Sequence, residues 1–115
     1  MDTLKYQLPN DAKYFSTVRL MLTALLNILN RDIEEIEDLK MAVTETLNIA
    51  HDLKTKEIID LVFEIEENKI KIYVNEIDQE KLDSCEELSL AKTVIDYLVD
   101  DCVFKEKTMI LTKEF

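Results

Sequence analysis

The chain contains no glycine among its 115 residues and only one proline. Loops that wrap nucleotide phosphates need positive φ angles and close backbone approach, which glycine supplies at little steric cost. Neither a Walker loop nor a dinucleotide fingerprint can be written with this sequence. No apolar run approaches the length of a membrane span. Residues 1–11 lack a basic stretch followed by an apolar core, so no signal peptide is expected there. Cys85 and Cys102 do not have CxxC spacing, which argues against zinc or a redox pair. Without an export signal the expected compartment is the cytoplasm, with both thiols reduced and Cys102 buried. Positive charge is also scarce: 14 Lys and Arg stand against 25 Asp and Glu, a net charge of −11. Nucleic acid and anionic membranes repel such a chain, so neither is expected as a direct partner. A protein with a basic face fits it; solubility alone is the other reading of the charge.

Hydrophobic residues make up 47% of the chain, enough for one domain with one core. No repeat, low-complexity segment or linker marks a boundary, so residues 1–115 are read as a single domain. The organising stretch is 32–53, DIEEIEDLKMAVTETLNIAHDL. Asp32 is a good helix cap, and Glu34 and Glu35 suit the first turn. Ile36, Leu39, Val43, Leu47 and Ala50 recur every three or four residues and define a core face. Met41, Glu45, Asn48, Ile49 and Asp52 form a neighbouring, largely polar stripe that could line a site.

Before this helix, residues 5–8 read as a short strand ending at Pro9. Asn10 or Asp11 then caps a helix reaching about Asn30, with Tyr14, Val18, Met21, Leu22, Leu25 and Leu29 at helical spacing. Phe15, Leu26 and Ile28 broaden its stripe, implying either burial on two sides or a dimer or partner surface. His51 reads as exposed or dipole-capping, with no Cys or Ser partner at useful spacing. Residues 54–56 read as a polar connection. Residues 57–66 alternate as a half-buried strand, Glu67-Asn68 turns, and Ile70, Ile72 and Val74 continue a hairpin. Residues 75–78 read as an acidic, solvated turn. A short connection, 79–82, leads to a helix capped by Asp83. Its buried face is expected to hold Leu88, Ala91, Val94 or Ile95, Leu98 and Cys102. Residues 103–105 and 108–112 form a last hairpin around Glu106-Lys107. The order β-α-α-β-β-α-β-β predicts an α+β two-layer sandwich, a mostly antiparallel sheet with three helices on one face.

The text IEDLKMAVTET resembles the start of the signature helix of bacterial anti-sigma-factor serine kinases, E-D-L-K-x-A-V-[ST]-E-x-x-x-N. Those proteins belong to the histidine-kinase-like (GHKL) ATPase superfamily. The resemblance runs over residues 6–112 with a deletion at the ATP lid. It is most specific in the central helix and at L-V-D-D, residues 98–101, and Tyr14, Val18, Arg19 and Leu20 fit the family's first helix. By this resemblance Glu45 matches the catalytic carboxylate. The magnesium-holding Asn falls on Ile49, which offers no oxygen to a hard cation, while Asn48 lies one residue early, about 100° around the helix. The family's D-x-G-x-G box puts Glu76 at the adenine-reading Asp and Asp78 at the first glycine, where a carboxylate would repel phosphate. Ser89 and Ala91 stand at two phosphate-contacting glycines, and alanine does not suit a turn needing φ > 0. Family members use ATP and magnesium; here neither is expected. They bind a sigma factor and an anti-sigma antagonist of the STAS type, commonly as homodimers.

The leading reading is thus an anti-sigma-like regulatory protein, a pseudokinase acting by protein binding. The space beside Glu45 either holds another ligand or is filled by Ile49, Ile77 and their neighbours, and filling would close the nucleotide question. An active serine kinase is a second reading, with Glu45 as base and Asn48, aided by Asp52, holding magnesium after a register shift. A structural dimerisation module is a third.

Overall fold

A computed structural model describes residues 1–54 and 56–115. The expected polar connection at 54–56 therefore falls partly, at Thr55, outside the described residues. Strand β1 (Asp2–Pro9) is longer than expected because it pairs along its whole length with β2 (Ile58–Glu66), Leu4 opposite Phe63 and Leu8 opposite Ile59. Pro9 ends β1 at the sheet edge, where a missing N–H breaks no ladder. The turn at Glu67-Asn68 leads into β3 (Lys69–Val74), and a second hairpin joins β4 (Asp101–Lys105) to β5 (Thr108–Glu114). The strand order is β1-β2-β3-β5-β4, with every described pairing antiparallel. Strict alternation buries Ile59, Leu61, Phe63 and Ile65 of β2 on one face, with Ile70, Ile72 and Val74 of β3 beside them. On the open face the Tyr73 hydroxyl donates to Glu64 Oε1 at 2.5 Å. That hydrogen bond to the carboxylate is the main reason the Tyr73 pKa is raised to about 12.

The helices cover the apolar face. Asp11 caps a single 3-10 turn (Ala12–Tyr14) by accepting from Lys13 N, and α1 (Phe15–Ile28) follows. Asn10 acts elsewhere, its side-chain amide donating to the carbonyls of Ala50 at 3.1 Å and Lys56 at 2.9 Å. It thereby ties the start of the helical layer to the C-terminal turn of α2 (Ile33–Leu53). His51 is half-buried rather than exposed, its Nδ1 3.3 Å from Asn10 Oδ1 and its ring edge-on to Phe15. The start of α2 is closed by a reciprocal capping box: Glu35 N donates to Asp32 Oδ1 at 2.8 Å and Asp32 N to Glu35 Oε1 at 3.1 Å.

The buried side of α2 is wider than its period suggests. Ala42, Thr46 and Ile49 join Ile36, Leu39, Val43, Leu47 and Ala50, because α2 lies between α1 and α4 (Glu86–Leu98). Buried Thr46 satisfies its hydroxyl by donating to Ala42 O at 2.9 Å. The broad stripe of α1 is not buried on two sides. Phe15, Val18, Leu22, Leu25 and Leu26 face the core, while Leu20 and Ile28 point outward and are exposed.

Three expectations around the last helix are corrected and one open choice, between Val94 and Ile95, is resolved. Residues 79–82 belong to a separate short helix, α3 (Gln79–Asp83), capped by Asp78. Asp83 therefore closes α3 rather than capping α4, which starts behind Cys85 without a side-chain cap. Ile95, not Val94, is the buried member of that pair. Cys102 lies in β4 beyond the helix and is half-buried. Burial still pushes its thiol up to about 12, which keeps it protonated at neutral pH.

Lacking glycine, the chain places side-chain-bearing residues in the left-handed region at Asn30 (φ 58°), Lys54 (φ 49°), Glu76 (φ 64°) and Glu106 (φ 60°). Asn30 and Lys54 close α1 and α2. Glu106 is the first residue of the two-residue β4–β5 turn, a position that favours glycine. The left-handed conformation costs an L-residue roughly 1–2 kcal/mol, and glycine's extra chain entropy offsets part of that. Glu106→Gly is therefore expected to raise stability by about 0.5–1 kcal/mol in urea unfolding. A lowered midpoint would contradict this account of the turn.

Candidate functional site

The candidate residues come from three places: the outer side of α2, the segment after β3, and the α3–α4 pair. On α2, Glu45 is half-buried, and Met41, Asn48 and Asp52 are exposed, so this stripe faces outward as its polarity implies. Ile49 departs from it. Its side chain is 0% exposed, as are those of Ile77 and Leu82, and all three belong to the same hydrophobic cluster. The helical turn that presents Glu45 thus sends Ile49 into the core.

The 75–78 segment is not a solvated turn throughout. Ile77 enters the core, and its N–H donates to Lys107 O at 2.8 Å, tying the segment to the β4–β5 turn. Glu76 takes the positive φ and holds its carboxylate 3.5 Å from Lys56 Nζ. Asp78 Oδ1 accepts from Glu80 N at 3.0 Å and Lys81 N at 3.3 Å, so this acid starts a helix. Asn75 is held from both sides: its N–H donates to Asp60 O, and Thr108 Oγ1 donates to its side-chain oxygen at 3.0 Å.

Ser89 and Ala91 lie inside the regular helix α4. Ser89 N donates to Cys85 O at 2.9 Å, so its amide is taken by the helix. Its hydroxyl donates to Leu82 O at 3.2 Å and Asp83 O at 3.4 Å, satisfying carbonyls at the end of α3. Ala91 is half-buried against the core. Sequence reasoning missed Leu82 and the capping role of Asp78; the signal available was an apolar residue in an acidic stretch, four places after an Asp.

These groups do not fit a magnesium triphosphate. The position that the sequence resemblance gives to a metal-holding Asn is Ile49, a buried aliphatic side chain. The acid after β3 is engaged with backbone amides, and the phosphate-loop positions are helical. Among the described residues, no group of three His, Cys, Asp or Glu side chains is placed to hold a metal ion. A shallow groove of about 380 Å³ opens elsewhere, over β1 and β2, lined by residues such as Gln7, Asp60 and Asn75. No candidate residue of α2 or α4 lines it.

The architecture is the two-layer α+β fold of a histidine-kinase-like ATPase domain. It superposes with a TM-score of 0.71 on the crystal structure of the RsbU and RsbW domains of Rv1364c from Mycobacterium tuberculosis, at 17% identity, covering 98% of this chain and 32% of that one. In sequence the chain shares partial homology with the anti-sigma-factor serine kinases. It is 35% identical over 80 residues to serine-protein kinase RsbW from Staphylococcus aureus strain bovine RF122 / ET3-1, and equally to that of strain MRSA252. The aligned part is 65% of this chain, and the chain spans about half the length of these curated relatives, 50% in each case. No family model matches. Among the described residues, no helix is long and apolar enough to cross a membrane.

Proposed function

We propose that this chain is an anti-sigma-factor-like regulator that acts by binding other proteins and has given up nucleotide binding. The observation that carries this reading is the full burial of Ile49 at the position where the related kinases hold magnesium. Glu45 is then a partly solvated acid on α2 rather than a catalytic base, and Asn48 holds no metal. Asp78 and Ser89 serve the backbone, Glu76 pairs with Lys56 and Ala91 packs against the core, in place of holding a nucleotide. The partners are a sigma factor, an antagonist of the STAS type, or both, met in the cytoplasm.

Titration calorimetry with ATP and magnesium tests the nucleotide claim; micromolar or tighter binding would overturn it. Transfer of labelled phosphate to a STAS protein, abolished in Glu45→Ala, would restore the kinase reading. A purified sigma factor should bind the chain without nucleotide.

Two copies are proposed to meet through the outward face of α1. Leu20, Ala24 and Ile28 lie there, and Arg19 is the only charged residue in the helix. Between chains of net charge −11, an uncharged face is where self-association meets least repulsion. Leu20→Glu with Ile28→Glu should convert a dimer into a monomer in sedimentation velocity, and an unchanged dimer would place the contact elsewhere.

A further inference from the structure

We propose that the outward face of α4 is a docking ridge for a basic amphipathic helix of a partner protein. This rests on the reading of the chain as a protein-binding regulator and deepens it. The helix buries Leu88 and Ile95 in the core. On its other side Leu90 is 66% exposed, Val94 37% and Tyr97 90%. Their spacing, i, i+4 and i+7, sets them in one stripe roughly 10 Å long. A run of large apolar side chains rimmed by polar ones marks an interaction surface rather than scattered exposure. Tyrosine at the end of such a run is a typical binding anchor.

The charge around the stripe selects the occupant. Glu86 and Glu87 stand exposed at its N-terminal end, and Asp96 and Asp100 at its C-terminal end. Residues 83–100 hold five carboxylates against one lysine, Lys92. Lys92 is paired with Asp96 at 2.6 Å. Repulsion thus disfavours a second copy, an anionic lipid surface and nucleic acid on this face. A partner carrying Lys and Arg beside an apolar seam complements both features. Side chains spaced at i, i+4 and i+7 form a ridge that another helix packs along by interlocking side chains. The apolar seam would supply affinity, and the acidic rim would steer approach and register. The uncharged outward face of α1 lacks this rim, which separates the two surfaces chemically.

The test uses the full chain and a fluorescent synthetic leucine–lysine amphipathic helix of about five turns, read by anisotropy. Leu90→Ser with Tyr97→Ser is expected to weaken binding at least about tenfold, while Leu20→Ser on α1 leaves it unchanged. Both variants preserve net charge, so equal affinity for the first variant would mean non-specific attraction and would overturn the proposal. Measurable binding of the matching leucine–glutamate peptide would do the same. Should the double variant lose its fold, amide shift mapping on the wild-type chain decides: perturbations along α4 support the site, and perturbations confined to α1 or the open sheet face overturn it. The regulator reading fails separately. A sigma factor bound equally by wild type and double variant keeps that reading and overturns the α4 site. The peptide seated on α4, with no sigma factor or STAS protein bound by the chain, does the reverse.

Discussion

Replacing Ile49 with asparagine is expected to lower stability by about 4 kcal/mol and to create no magnesium-dependent ATP binding. The substitution places at 49 the Asn that the sequence resemblance assigns to magnesium. By the resemblance alone it would supply a metal ligand; by its burial it attacks the core. Removing a fully buried isoleucine side chain costs about 2–5 kcal/mol. A buried amide without partners adds about 1–3 kcal/mol. Small domains are stable by only about 5–15 kcal/mol, so the loss would be plain in a urea melt. Ile49 is completely inaccessible and sits among other core side chains, so the site has little room to relax. A loss below about 1 kcal/mol together with new ATP binding would show that a nucleotide cavity persists beside Glu45.

Ile77→Ala is expected to cost about 2–5 kcal/mol, an unusual sensitivity for a residue outside every helix and strand. The segment is fastened by this side chain in the core, by its N–H on Lys107 O and by Asp78 capping α3. Loss of the side chain removes the packing while leaving the two polar ties in place. Amide exchange should therefore quicken first at residues 76–83, where the short helix α3 depends on that anchor. A near-neutral variant with unchanged exchange would mean that the polar ties alone hold the segment. Together the two substitutions ask whether the helix and the segment that the sequence resemblance aligns with a nucleotide site serve here as core.

Much of this was legible beforehand. Strict alternation in β2 identified its buried side, since a pleated strand sends neighbouring residues to opposite faces. Asp32 was legible as the cap of α2 with Glu35 in its first turn, a contact closed within one helical turn, and the structure adds the reciprocal bond that makes it a capping box. The boundaries of α3 and α4 were not legible. A capping acid was available at Asp78 and again at Asp83, and local preference could not choose between them. In the fold Asp78 caps the turn that carries Leu82 into the core, a long-range contact that local preference does not report. The breadth of the buried face of α2 was hidden for a similar reason. Periodicity describes one contact face, whereas α2 meets α1 and α4 on different sides.

By itself the sequence determined the α+β class, the central capped helix, the acidic character and the resemblance to anti-sigma kinases. Those depend on composition, on periods of two and 3.6 residues, and on side chains interacting within a turn. Only the tertiary structure decided that Ile49 and Ile77 meet in one core, that Asp78 serves a helix, and that α4 leaves a second apolar stripe uncovered. Each of those outcomes depends on which distant elements pack together, and burial is a property of the assembled fold rather than of any stretch of chain.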